Sequence, residues 1–189
     1  MFNDLTSVAA YLETRRSGKP RDMIAPGPNV EMLDRILQTA ARTPDHGKLF
    51  PWRFVEICDR IVFAELLMTA FCTANAEARP VQIEAAIATA HMAPTLIVLM
   101  FAPQPSLKIP LWEQELSVGA VGMNLLHAAH AHGFVASWIT SWACYDPVVH
   151  AALCQGDERI AGLFFIGTPA MQLEERPRPV QSNIIRQWP

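Results

Sequence analysis

The sequence predicts a single domain in which a mixed sheet is flanked by helices, one of them nearly engulfed by protein. Apolar runs bounded by proline and glycine, APTLIVLMF at 93–101 and IAGLFFI at 160–166, have the length and isolation of buried strands. Between them, residues 112–132 carry the longest helical pattern in the chain, with Leu116, Val118, Ala120, Met123, Leu125, Leu126 and Ala129 leaving almost no polar face. A helix apolar all round must be surrounded by protein. A length of 189 residues suits one core rather than two.

The elements follow in order. Leu5, Val8, Ala9 and Leu12 recur at helical spacing up to Arg15, with Thr6 or Ser7 as the capping oxygen. IAPGPN, at 24–29, is a loop because its prolines lack amide donors and fix φ. A second helix runs from Val30 to Arg42 with Asn29 as N-cap, and Pro44 stops it. Phe50 to Cys58 reads as a strand through Trp52, Phe54, Val55 and Ile57, and Ile61–Ala76 and Val81–Ala90 read as helices. The strand at 93–101 and the long helix come next. Gly133 ends that helix as a left-handed cap, FVASWIT gives another strand, Pro147–Leu153 a short helix, and the strand at 160–166 is closed by Gly167 and Pro169. The proline-broken tail is too polar to pack alone, yet Ile184, Ile185 and Trp188 are placed to dock on a neighbour.

Composition narrows the function. The chain is 51% hydrophobic and 17% charged, with a mean hydropathy of +0.16, more apolar than a small monomer comfortably covers. An oligomer or a large cofactor would relieve that. A net charge of −3 with no basic run longer than Arg15–Arg16 argues against nucleic acid. The longest apolar run, Leu96 to Ala102, is far short of the roughly 20 residues of a membrane span. The N-terminus carries Asp4 and Glu13 rather than a signal pattern. Cys58, Cys72, Cys144 and Cys154 sit among apolar neighbours with no CxxC pair, the pattern of buried thiols in a reducing cytoplasm.

RRS at 15–17, followed by Lys19 and Arg21, gathers cationic donors suited to a phosphate; the same residues also suit compensation of a helix C-terminus. No GxGxxG, GxxxxGK[ST] or GxSxG occurs. His127, His130 and His132 lack the carboxylate or HExxH context of a metal site, so polar edges of an interior helix describe them better. Glu113 and Glu115 suit the dipole of a helix N-terminus. Trp138, beside Thr140 and Ser141 at a strand end, fits either the border of a planar ligand or plain core. TPDHGKLFPWRF at 43–54 places His46 and Lys48 in a proline-bracketed loop between two hydrophobic elements, which no ordinary turn requires.

In their order along the chain, RRS, TPDHGKLFPWRF, WEQELSVGAVGMNLLHAA, HGFVASWIT and GLFFIGTP resemble the nitroreductase family of FMN-dependent oxidoreductases. The likeness runs from about Leu12 to Pro169 and is closest to small bacterial members that carry PDH and WEQE. It implies an α+β fold with a mixed, mainly antiparallel sheet, an obligate homodimer, and an FMN at each of two sites across the subunit interface. It assigns Arg15, Arg16 and Ser17 to the ribityl phosphate, Arg42 and His46 to a loop reaching the flavin from the partner, and Trp138, Ile139 and Thr140 to the isoalloxazine. Residues 170–189 become a C-terminal extension packing on the partner.

The implied activity is NAD(P)H-dependent reduction of nitroaromatics, quinones or related electrophiles. No catalytic acid, base or metal is assigned, because the flavin carries the chemistry. A flavin-binding or scaffolding dimer without reductase activity, and a flavin enzyme with a different reaction, are the alternatives. This chain departs from similar small members at Ile139 and Thr140, where arginine and serine are common, and at Phe50, where many have glutamine.

Overall fold

A computed structural model describes residues 1–189. Its centre is the strand β3, Thr95–Phe101, buried at every position. Alternation along it divides the interior in two. Leu96, Val98 and Met100 face a core shared with Phe63, Leu67, Ala70 and Val149, whereas Ile97, Leu99 and Phe101 face one shared with Leu33, Ile36, Val121 and Leu125. A strand with apolar residues on both faces requires helices on both faces.

Those helices are α3 (Arg60–Ala74), α4 (Pro80–Ala88) and α6 (Pro147–Leu153) on the first side, and α2 (Val30–Ala40) with α5 (Leu111–Ala131) on the second. β3 pairs with β2 (Trp52–Glu56) on one edge and with β5 (Arg159–Pro169) on the other. β4 (Val135–Ile139) pairs only with β5, and the two-residue β1 (Met23–Ile24) pairs with the end of β5. Every pairing is antiparallel. The architecture is therefore α+β as expected, with no parallel pair in the sheet.

A bulge interrupts β5, where Leu99 pairs with Gly162 but Met100 with Ile160. The extra residue returns Ile160 to the core that Leu163 faces and leaves the Ala161 carbonyl off the ladder. Trp138 fills this gap: its indole nitrogen donates to that carbonyl at 3.1 Å and its ring stacks on Phe164 at 5.1 Å. The indole lies where side chains at Gly162 and Gly122 would stand.

Local signals were mostly realised. Asn29 Oδ1 caps α2 through the Met32 amide, and Gly133 follows α5 at φ 85°. Other expectations shift. The first helix, α1, spans Val8–Thr14 rather than starting at Leu5, because Ser7 caps it through the Ala10 amide; Val8 and Leu12 are exposed and Tyr11 is its buried residue. Ile24 belongs to β1 rather than to a loop, and Gly167 lies inside β5 rather than closing it. Phe50 precedes its strand, held outside by a φ of 51°. The cysteines are free, but Cys58 is exposed and Cys72 and Cys154 are half-buried, so only Cys144 is a core thiol. Within one chain α5 is not engulfed: Leu111, Trp112 and Leu116 are exposed on its N-terminal half.

The Trp138 clasp yields a test. Gly162→Ala drives a methyl group into the indole and should cost about 1–3 kcal/mol of stability, the range for overpacking a filled core. Urea unfolding measures it; an unchanged midpoint would mean that Trp138 is free to move aside.

Candidate functional site

Arginines 15 and 16 follow the last turn of α1. Arg15 is the C-cap residue, with φ −56° and ψ 133°, and neither side chain bonds the final carbonyls of the helix. Hydrogen-bonded capping of the helix end therefore does not hold these side chains. Asn3 clamps the Arg16 backbone on both sides, accepting from its amide at 2.8 Å and donating to its carbonyl at 3.1 Å. The Arg16 guanidinium turns to the carbonyls of Ser17 and Glu174. Arg15 donates to Ser17 Oγ at 3.1 Å, while its Nε is buried with no partner.

No carboxylate pairs with Arg15. Burial first, and then the positive charges of Arg178, Arg16 and Arg176, hold its pKa below the ordinary arginine value, and only Tyr11 opposes them. Arg178 reaches the Arg15 carbonyl at 3.5 Å, and Glu174 is already paired with Lys19 at 2.9 Å. An unsatisfied donor among like charges is costly unless an anion completes it. Ser17 supplies a hydroxyl beside it. The chemistry of this donor set fits a phosphate.

Behind Arg15 lies a polar chain that sequence reading missed. The Ala136 amide donates to His130 Nε2 at 3.3 Å, so that nitrogen is unprotonated and Nδ1 carries the hydrogen. His130 Nδ1 then donates to Tyr11 Oη at 2.9 Å, and the Tyr11 hydroxyl donates to His127 Nδ1 at 2.7 Å. Burial pushes the Tyr11 hydroxyl to about 12, against the lowering influence of Arg15, and pulls His130 down to about 4, helped by Arg15 and His127. Two histidines expected at polar helix edges are thus neutral partners of one buried tyrosine. No group of three or more His, Cys, Asp or Glu is arranged to hold a metal ion.

The loop after α2 is tightly determined. Asp45 Oδ2 accepts from the amides of Leu49 and Phe50 at 2.6 and 3.2 Å. Thr43 donates to the Ala40 carbonyl and accepts from Asn124 of α5. Gly47, Lys48 and Phe50 all have positive φ, and Gly47 lies against Ile109. His46 projects outward, its Nδ1 2.7 Å from Glu113 Oε2 at the start of α5, and Arg42 is exposed nearby. Glu113 therefore does more than complement the helix dipole.

At the third group of candidate residues, the Trp138 side chain is committed to the β5 bulge, Ile139 packs on the opposite core, and Thr140 is exposed. Because β4 pairs only with β5, its other edge has no strand partner, and there the Ala136 amide is taken by His130. Just beyond, Ser141 Oγ is buried without a partner. In a single chain, RRS meets the start of β4, where Gly18 packs on Val135, while Trp138, Ile139 and Thr140 lie at the far end of that strand and Arg42 and His46 sit on the loop bound to the first turn of α5.

Residues 13–168 match the sequence profile of the Nitroreductase family. The chain belongs to the nitroreductase family. A Haemophilus influenzae protein, provisionally named an NAD(P)H nitroreductase, is 32% identical over 174 residues, which cover 91% of this chain and 94% of that relative. Escherichia coli K12 YdjA, provisionally named in the same way, is 32% identical over 78% of this chain and 81% of its own. Among solved structures, a nitroreductase-like family protein from Bacillus cereus superposes with a TM-score of 0.83 at 19% identity, covering 100% of this chain and 99% of that one. A Bacteroides fragilis nitroreductase with bound FMN superposes with a TM-score of 0.67 at 20% identity, covering 94% and 96%. These two establish a shared nitroreductase fold.

The buried histidine predicts a pH signature. His130 has a folded pKa of about 4 against an ordinary 6.5, so the unfolded chain takes up a proton that the native state refuses. Its contribution is complete above 6.5 and is lost as pH falls toward 4, on the order of 3 kcal/mol across the window. Urea unfolding from about pH 7 to about pH 5 should show the decline, and His130→Gln should flatten it. A wild-type profile flat over that range would contradict the neutral buried histidine.

Proposed function

We propose that two copies of this chain enclose FMN at each of two sites across their interface and act as an NAD(P)H-dependent oxidoreductase. The observation that carries this reading is the buried, unpartnered Nε of Arg15 among Arg16, Arg176 and Arg178, with Ser17 beside it. A ribityl phosphate satisfies that donor and neutralises the like charges. A scaffolding dimer without flavin would leave both penalties in place. Among the fold neighbours, the Bacteroides fragilis protein has FMN bound and a Sphingopyxis enzyme is described as FMN- and NADPH-dependent.

Arg15, Arg16 and Ser17 hold the phosphate, with Arg178 or Arg176 closing the cluster. The free edge of β4 at Trp138, Ile139 and Thr140 offers backbone hydrogen bonds to the isoalloxazine rim. Arg42 and His46, exposed on a rigid loop, reach it from the other subunit. FMN held there would supply hydride transfer from reduced nicotinamide to a nitroaromatic, quinone or related electrophile in a ping-pong cycle. The protein's part is to orient the ring, place positive charge beside its anionic tail and exclude water.

Pairing of subunits is supported by the uncovered stripe of Leu111, Trp112 and Leu116 on α5 and by the exposed Ile184, Ile185 and Trp188 of the tail, residues 170–189, which packs on the partner. No helix is long and apolar enough to cross a membrane, and the four free cysteines fit a cytoplasmic setting.

Flavin titration of stripped protein, followed by quenching of FMN fluorescence, tests the reading. Arg15→Ala and Ser17→Ala should each weaken binding by about 1.5–3 kcal/mol, the worth of a charge-assisted hydrogen bond. Wild-type affinity in both variants would reject the phosphate assignment.

A further inference from the structure

We propose that Glu113 is a positioning residue: its carboxylate fixes the tautomer and orientation of His46, so that Nε2 faces the cofactor site of the neighbouring subunit. This rests on the reading above that the His46 loop borders the flavin.

The contact is short and specific. Glu113 Oε2 lies 2.7 Å from His46 Nδ1 across 67 residues of sequence. An ionised carboxylate only accepts, so Nδ1 must carry the hydrogen whether the imidazole is neutral or protonated. Nε2, on the far side of the ring, makes no hydrogen bond within the chain, and the His46 side chain is 65% exposed. A neutral His46 therefore presents an acceptor at Nε2 and a protonated one presents a donor. Without Glu113 the ring is free to rotate and to move its hydrogen to Nε2.

An ordinary surface ion pair is the competing explanation, and such pairs contribute little stability. The loop does not need this one. Asp45 already ties the amides of Leu49 and Phe50, Thr43 is bonded to Ala40 and Asn124, and Gly47 is seated on Ile109. Backbone held in left-handed conformation at Gly47, Lys48 and Phe50 marks a loop whose shape is imposed. Given these ties, the distinctive consequence of the Glu113 contact is the state of one imidazole. Glu113 is suited to that task because it projects from the first turn of the 21-residue helix α5, a rigid support.

The test has a flavin-free arm and a flavin arm. Long-range ¹H–¹⁵N correlation on stripped, labelled protein should show His46 as the Nδ1–H tautomer when neutral, and Glu113→Ala should move it toward Nε2–H. With FMN added, Glu113→Ala should weaken binding about three- to tenfold, the range for a neutral hydrogen bond, and should shift the flavin midpoint potential. In a His46→Ala background the same substitution should change neither quantity. An unmoved tautomer in Glu113→Ala overturns the proposal, as does an effect of that substitution that persists without His46. If His46→Ala binds FMN like the wild type while Arg15→Ala does not, His46 is misplaced and this role falls, but the FMN reading stands. If neither substitution matters, the reading itself fails.

Discussion

Seven consecutive residues buried on both sides, Thr95 to Phe101, set the terms for the rest of the molecule. Such a strand requires hydrogen-bonded neighbours on both edges and an apolar layer on both faces. The edges are β2 and β5, and the layers are the α3/α4/α6 group and the α2/α5 pair. Once α5 lies across one face, its two ends define the polar regions. Its first turn meets the His46 loop through Glu113, and its last turns hold Tyr11, and thereby the approach to Arg15, through His127 and His130. Sheet packing thus fixes where charged and titratable groups stand.

Electrostatics around Arg15 invert what a folded protein usually arranges. Buried cations are commonly matched by carboxylates, yet Glu174 and Glu175 in the same region are bonded to Lys19 and Arg178, and Arg15 is left facing other guanidiniums. The polar chain from Ala136 through His130 and Tyr11 to His127 adds no negative charge, because burial keeps its members neutral. A neutral backing and an unmatched cation together describe an anion site whose charge balance comes from outside the chain.

Much of the fold was legible because its signals are local. Prolines bracket β3, Asn29 caps α2, Gly133 ends α5 with positive φ, and Pro147 opens α6. Misreadings came where local pattern and tertiary placement diverge. Val8 and Leu12 have helical spacing but stay exposed, and Cys58 sits beside Ile57 yet faces outward. β1 is two residues long and exists only through its pairing with β5. In the candidate site, RRS and the His46 loop were visible as unusual composition. Their partners were not: Glu113 lies 67 residues from His46, and His127 lies 116 residues from Tyr11. The β5 bulge claims the Trp138 indole through the Ala161 carbonyl, a packing that its sequence neighbours Thr140 and Ser141 do not reveal.

The central claim is that one cofactor site draws Arg15 from one chain and His46 from another, and mixed dimers test it most directly. Arg15→Ala and His46→Ala chains, each weak in FMN binding alone, should regain one tight site per mixed dimer when co-expressed, because one of the two sites then combines an intact Arg15 with an intact His46. Mixed dimers with no tight site would contradict the shared architecture and leave both residues serving a pocket within a single chain.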